Sequence, residues 1–386
     1  MARHLSLVPA PDPAADGYEE AVLGTLLPAL SAALAGTAPL AVLPAGPAAL
    51  VEAARGLLRP GEPLEPGTDL VIVTSGSTGR GRAVLLPASA LHASGTATHE
   101  RLGGAGSWLL TLPVTAIAGV QVLCRSVLAG TRPTVLGPGE PLSAALDRMP
   151  GGRRYTSLVP TQLRRRLDAE PDALRAFDAV LVGGYAVDAS LLARAREAGV
   201  AVVTTYGMTE TAGGCVYDGR PLDGVEVRVV DGGVELAGPG LALGYRGDPE
   251  GTAEAFRDGW FATQDAGSIG PDGRLTVTGR RDDVVISGGV NVAPAAVEAV
   301  LREHPAVIDA VVFGRADDEW GQRVVAAVVP APGADPGLAD LRPWVAERLG
   351  APAAPRELHL VDAVPLLHTG KPDRRGVADA VLHGLR

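Results

Sequence analysis

Between residues 40 and 204, short apolar runs alternate with segments of helical pattern. The runs span 40–43, 69–74, 108–112, 156–159, 179–182 and 200–204, and the helical patterns 48–58, 88–102, 120–129, 160–167 and 189–198. Each run is almost unbroken in its apolar character, as strands covered on both faces are. Strand–helix repetition at this spacing predicts an α/β fold, with mainly parallel sheets covered by helices. After about residue 220 the pattern changes to short alternating segments at 225–230, 233–236 and 274–278, with Gly-Gly and Asp-Gly turns. This predicts a small antiparallel β region. A second change follows Asp282-Asp283. Helices at 293–303, 337–349 and 377–385, with strands near 307–313, 323–329 and 357–361, read as a compact α+β unit. The expected division is therefore a large N-terminal domain, 1–281, and a smaller, mobile C-terminal domain, 282–386.

Charge and composition narrow the partners. The 386 residues carry a formal charge of −10 without a long basic stretch, which argues against nucleic acid and anionic membrane. Cys124 and Cys215 lie far apart without ligand-like companions, which excludes a disulfide framework or zinc site and suits a reducing compartment. Residues 21–51 contain no charge, but Pro28, Pro39, Pro44 and Pro47 interrupt them. A buried helix at 18–35 followed by a strand at 39–43 fits better than a membrane span. The first residues lack the basic region and apolar core of a signal peptide. A cytoplasmic protein without stable membrane insertion is expected.

Of the 34 basic side chains, 33 are arginine and one is lysine, Lys371, in the run His368-Thr369-Gly370-Lys371-Pro372. In a chain that uses arginine almost everywhere else, the single lysine points to a position needing a compact point charge instead of a planar fork.

Four further motifs carry chemistry. The first is Thr74-Ser75-Gly76-Ser77-Thr78-Gly79, closed by Arg80-Gly81-Arg82, after an apolar strand and ahead of a helix. Four hydroxyls and two glycines can wrap a polyphosphate with N–H groups and Oγ atoms. Arg82-Ala83 stands where a P-loop needs Lys-Ser/Thr, so a P-loop NTPase is excluded. The second is Thr205-Tyr206-Gly207-Met208-Thr209-Glu210-Thr211 at the end of a strand, where open α/β sheets bind ligands. Tyr206 beside Gly207 can flank a flat base, and Thr209 with Glu210 can contact phosphate and Mg²⁺ together. The third runs from Asp258 to Asp265, and the fourth is Gly279-Arg280-Arg281-Asp282-Asp283. A carboxylate can accept both hydroxyls of a ribose, and Arg280 adds donors.

In this order, and with Thr369-Gly370-Lys371 as the fifth, these motifs resemble the adenylate-forming superfamily of acyl-CoA ligases across roughly residues 70–375. The resemblance implies a two-step reaction using ATP, Mg²⁺ and coenzyme A. A carboxylate attacks the α-phosphate to give an acyl-adenylate and pyrophosphate, and the thiol of CoA then displaces AMP. It implies that Thr74–Gly79 hold the β- and γ-phosphates, with a cation kept at Arg82. Tyr206 stacks on adenine, and Gly183-Gly184-Tyr185 form the other wall. Thr209 touches the α-phosphate, Glu210 positions Mg²⁺, and Asp265 and Arg280 hold the ribose. Asp282 is the hinge, Gly288-Gly289 lie along CoA, and Lys371 bridges the carboxylate and the α-phosphate during adenylation. No His or Cys nucleophile is required.

Three further stretches resemble the o-succinylbenzoate–CoA ligase family of menaquinone biosynthesis, in its short actinobacterial form. They are Leu112-Pro113 with Ala118 to Ser126, Ser157 to Leu163, and Glu210 to Gly219. Its substrate is a small carboxylic acid with a second, spare carboxylate, for which Arg125 and Gln162 are the candidate donors, and Met208 is expected at the acid pocket. Val114-Thr115-Ala116 departs from the aromatic or His that often lines this pocket. The alternatives are a CoA ligase for another acid, an enzyme loading a carrier protein, and a catalytically silent nucleotide-binding relative. Retention of Glu210, Asp265, Arg280 and Lys371 argues against the last. A homo-oligomer is left open.

Overall fold

Two sheets enclose a layer of helices, and the strand residues divide between them by simple alternation. The structure is a computed structural model that describes residues 3–74, 81–365 and 373–382. In the first sheet, Ser6–Pro9, Leu40–Leu43 and Leu70–Thr74 run parallel, and Arg82–Leu86 and Gly244–Tyr245 are added antiparallel. The second has seven strands in the order Arg220–Pro221, Gly213–Tyr217, Val202–Met208, Ala179–Val182, Arg154–Leu158, Ser107–Leu110, Thr134–Val135. The last five are parallel, as expected from the strand–helix repetition. Leu40, Val42, Leu70 and Ile72 from one sheet and Trp108, Leu110, Tyr155 and Leu181 from the other face the shared inner layer. Their neighbours Ala41, Leu43 and Val71 pack outward on helix Ala48–Leu58, and Leu109, Val180 and Val182 pack outward on a separate cluster. Successive strand side chains point to opposite faces, so apolar runs without polar interruption need cover on both sides. Each large side chain so buried contributes about 1.5–3 kcal/mol.

The inner helices are Ala88–Arg101, Ile117–Leu128 and a first helical stretch, Tyr18–Leu34, which contains a π turn at Val22–Leu26. Pro28 explains the turn. Proline has no N–H for the carbonyl four residues back and clashes with it, and widening the preceding turn carries the helix past the ring.

The phosphate motif is not a strand-to-helix loop. It joins Leu70–Thr74 to the antiparallel strand Arg82–Leu86, and the helix begins only at Ala88, after Pro87. Arg82-Ala-Val-Leu-Leu is itself a short apolar run bounded by Gly81 and Pro87, which are strand limits rather than a helix start. No helix N-terminus directly follows the motif, since the strand Arg82–Leu86 comes between it and the helix at Ala88.

The antiparallel β region comprises Glu226–Val230, Gly233–Ala237, Phe256–Arg257, Trp260–Ile269 and Leu275–Arg280. Downstream, Val285–Ser287, Val290–Val292, Val307–Asp317, Gly321–Pro330 and Glu357–Leu360 form another sheet, covered by Pro294–Arg302 and Leu338–Leu349. Its main apolar cluster draws on residues from Val285 to Ala354. The last helix, Arg374–Leu382, starts three residues before its expected position. Among the described residues, no helix is long and apolar enough to cross a membrane.

Candidate active site

The strands Ala179–Val182 and Val202–Met208 lie side by side, with Val182 opposite Thr204, so the residues after each meet at one sheet edge. Gly183 is required there. A Cβ on it would stand 2.7 Å from the Thr205 carbonyl oxygen. The Tyr185 hydroxyl accepts from the Thr161 N–H at 3.0 Å, anchoring the Gly183-Gly184-Tyr185 loop to helix Pro160–Ala169.

Tyr206 reaches across to the β region, where its hydroxyl donates to Asp265 Oδ2 at 2.8 Å. Burial, followed by the neighbouring Asp265 carboxylate, pushes the phenol far above its ordinary range and keeps it a donor. Asp265 lies opposite Arg280 in the ladder, and Arg280 Nη1 is 3.8 Å from Asp265 Oδ1. Arg280 also grips Asp282 through Nε and Nη2, both at 2.8 Å. The base, ribose and hinge motifs of the sequence thus converge on one chain of contacts.

The strand Val202–Met208 ends in the tight turn Thr209–Thr211, followed by Ala212 at φ 51°. Thr211 Oγ1 secures the turn, accepting from Met208 N–H at 3.0 Å and donating to the Gly213 carbonyl at 2.7 Å. Glu210 Oε1 accepts from the Tyr245 hydroxyl at 3.1 Å, and the Arg82 guanidinium lies 4.5 Å from the centre of the Tyr245 ring. Thr74 and Arg82 bracket the phosphate motif as ladder partners, with Thr74 Oγ1 donating to the Arg82 carbonyl at 3.3 Å. Ser75, Gly76, Ser77, Thr78 and Gly79 fall outside the described residues, as does Lys371. Among the described residues flanking Lys371, Asp373 N–H donates to the Pro365 carbonyl at 2.8 Å. Arg374, just beyond, pairs with Glu298 at 2.6 Å and Asp283 at 3.6 Å.

Tyr245 was not singled out by the motifs. Its neighbour Gly244 stands at φ 137°, and an added Cβ there would lie 2.7 Å from Thr252 Oγ1. That spacing marks a close approach but names no partner for the tyrosine.

Arg125 lies on the inner helix Ile117–Leu128 and is 3% exposed. Its guanidinium sits 4.9 Å from the Trp108 ring centre, and Nη2 donates to the Tyr217 hydroxyl at 3.3 Å. Nε has no hydrogen-bond partner, and among the described residues no carboxylate forms an ion pair with the group. Gln121, one turn earlier, donates to the Ala212 carbonyl at 2.7 Å, which ties this helix to the turn carrying Glu210. Gln162 is placed differently. Its Oε1 accepts from Val159 N–H and its Nε2 donates to the Thr111 carbonyl, both at 3.0 Å, so both ends of the amide serve the backbone at a helix start. Met208 leans on the cluster around Cys215 and Val234. Gly288 and Gly289, at φ 59° and 77°, form the exposed two-residue turn between Val285–Ser287 and Val290–Val292. Only a backbone contact is available from them.

Next to Arg125, Trp108 Nε1–H donates to His99 Nε2 at 3.1 Å. Burial, and then the Arg125 charge, push the imidazole pKa from 6.5 to about 4. The unfolded chain therefore takes up this proton at higher pH than the native one, and stability falls with pH between 6.5 and 4. Urea midpoints across this window are expected to show that slope, and His99→Gln to remove its share.

Among the described residues no three His, Cys, Asp or Glu side chains gather as a metal cage. A single carboxylate at Glu210 still fits Mg²⁺, which keeps its waters and is held by one or two carboxylates plus substrate phosphates.

Comparison with known proteins identifies the family. The AMP-binding enzyme family matches residues 34–245, and the AMP-binding enzyme C-terminal domain matches residues 296–371. The chain is 48% identical over 361 residues to the probable 2-succinylbenzoate–CoA ligase of Mycobacterium tuberculosis, covering 90% of this chain and 93% of the relative. It is 35% identical to the 2-succinylbenzoate–CoA ligase of Escherichia coli, over 72% of this chain and 61% of that one. Among solved structures, the o-succinylbenzoate CoA synthetase of Bacillus subtilis in complex with its acyl-adenylate intermediate gives a TM-score of 0.73 at 27% identity, covering 93% and 81% of the two chains. The amide bond synthetase McbA of Marinactinospora thermotolerans gives 0.74 at 28% identity, covering 98% and 90%. The chain belongs to the AMP-binding enzyme family and, within it, groups with the 2-succinylbenzoate–CoA ligases.

Proposed function

We propose that the protein is an AMP-forming acid–thiol ligase that converts o-succinylbenzoate into its CoA thioester for menaquinone biosynthesis in the cytoplasm. A succinyl carboxylate oxygen attacks the α-phosphorus of ATP, and the bond to pyrophosphate breaks. The CoA sulfur then attacks the acyl carbonyl carbon, the thiol proton is released, and AMP leaves with its oxygen. Tyr206 and the Gly183–Tyr185 loop flank the adenine, and Asp265 with Arg280 receives the ribose. Thr209 contacts the α-phosphate. Magnesium, held beside Glu210, supplies neutralising charge to the phosphates. Lys371 places a compact cation between the attacking and α-phosphate oxygens, where charge gathers in the transition state. Between the two steps the C-terminal unit, 282–386, turns about Asp282, which releases the Arg280–Asp282 fork and brings the Gly288-Gly289 turn to CoA.

The observation that carries the choice of acid is Arg125, a buried cation whose Nε is unpartnered and which has no carboxylate beside it among the described residues. A buried charge without a partner is costly, and an anion arriving with the substrate offsets that cost. The spare ring carboxylate of o-succinylbenzoate is such an anion. Gln162, its amide already engaged by the backbone, adds support at the helix start instead.

The test is pyrophosphate release with o-succinylbenzoate, with and without CoA. Release that accelerates with CoA, together with the thioester product, is expected. Release with other aryl acids but not with o-succinylbenzoate would overturn the choice of acid. The absence of release with any acid would overturn the ligase.

A further inference from the structure

We propose that Tyr245 is a positioning residue for metal-bound ATP: its hydroxyl fixes the rotation of the Glu210 carboxylate, and its ring carries Arg82 at the exit of the phosphate motif. The inference rests on the assignment of Glu210 to magnesium.

Three separate contacts bring the residue into this role. The hydroxyl donates to Glu210 Oε1 at 3.1 Å, across 35 residues of chain. The Arg82 guanidinium lies 4.5 Å from the ring centre, within reach of a cation–π contact. The backbone holds both partners in step. Tyr245 is the ladder partner of Val84, two residues past Arg82, and Ala242 N–H donates to the Glu210 carbonyl at 2.8 Å.

The chemistry follows from what an orienting partner does for a metal-binding carboxylate. A glutamate at a turn has three rotatable bonds, and a metal gains little from a ligand that must be ordered on binding. A hydrogen bond to one oxygen removes that freedom beforehand, and loss of such an orienting partner typically costs about 10- to 100-fold in metal affinity. The ring does the same for Arg82. Where a lysine would project as a point charge, the guanidinium sits over an aromatic ring, and that ring is tied through its hydroxyl to Glu210. The two cation-handling elements of the site are thereby coupled through one side chain.

Tyr245→Phe removes one oxygen and keeps the ring beneath Arg82. Calorimetric titration without acid, so that no turnover occurs, is expected to show Mg·ATP binding weakened about tenfold. AMP binding without metal should stay within about twofold. Mn²⁺ paramagnetic resonance with ATP present should show the same loss of affinity as Mg·ATP titration. Tyr245→Leu, which also removes the ring, is expected to weaken Mg·ATP further. Glu210→Gln is the reference. If Glu210→Gln leaves Mg·ATP binding intact, the magnesium assignment itself fails. If Glu210→Gln weakens it and Tyr245→Phe does not, the role of Tyr245 alone is overturned. Equal loss of AMP and Mg·ATP binding in Tyr245→Phe would also overturn it, since a packing defect does not distinguish the two ligands.

Discussion

Lys371→Ala is expected to lower adenylate formation by about 10²- to 10³-fold, the cost of deleting one aligned charge donor from a transition state. Thiolation of a supplied acyl-adenylate should persist. The reason is positional. Under the proposed rotation of the C-terminal unit, the lysine is withdrawn before the thiol attacks and the second step does not use it. Lys371→Arg should be nearly as poor, because the wide guanidinium cannot occupy a point between two oxygens. The chain makes that comparison pointed, since 33 of its 34 basic residues are already arginine. Single-turnover measurements of each half-reaction decide the matter. Equal loss in both steps would sink the rotation account. Arg374, just after the lysine segment in sequence, pairs with Asp283, one residue past the proposed hinge.

Arg125→Met is the second large effect. The specificity constant for o-succinylbenzoate is expected to fall about 10²- to 10³-fold, from the roughly 3–5 kcal/mol lost when one partner of a buried ion pair is removed. The KM for ATP should not move. Thermal stability should hold or rise, because the guanidinium has no carboxylate partner among the described residues and methionine fills a similar volume. A substrate analogue without the ring carboxylate should be used equally by parent and variant. An equal fall for that analogue would show that Arg125 shapes the pocket without reading the carboxylate. The Trp108 face, the Tyr217 hydroxyl and neutral His99 around it are all uncharged, which leaves the arginine as the charged group of this cluster.

The parts read correctly from sequence were those whose cause is local. The strands and helices of 40–204 appear almost at their expected bounds, for example Ala179–Val182 and Ala48–Leu58, because period and turn residues set them. The reading failed at Arg82–Leu86, taken as part of the approach to a helix. Five residues of apolar pattern carry no mark of whether they pair back on the preceding strand. Gln162 was read as a substrate donor, and its amide instead serves Val159 and Thr111. Thr111 is distant in sequence, so no spacing could announce it.

Sequence by itself determined the element order, the family and the residue types at each motif, since these depend on near neighbours and on chemical identity. Only the tertiary structure decided which of them meet. Tyr206 finds Asp265, and Tyr245 finds Glu210, through strand pairings between segments dozens of residues apart. Arg125, on a helix whose polar residues could have faced solvent, is buried because two sheets close over its layer. Register and layer packing are collective properties, fixed by the whole hydrophobic core at once, and no local stretch of chain contains them.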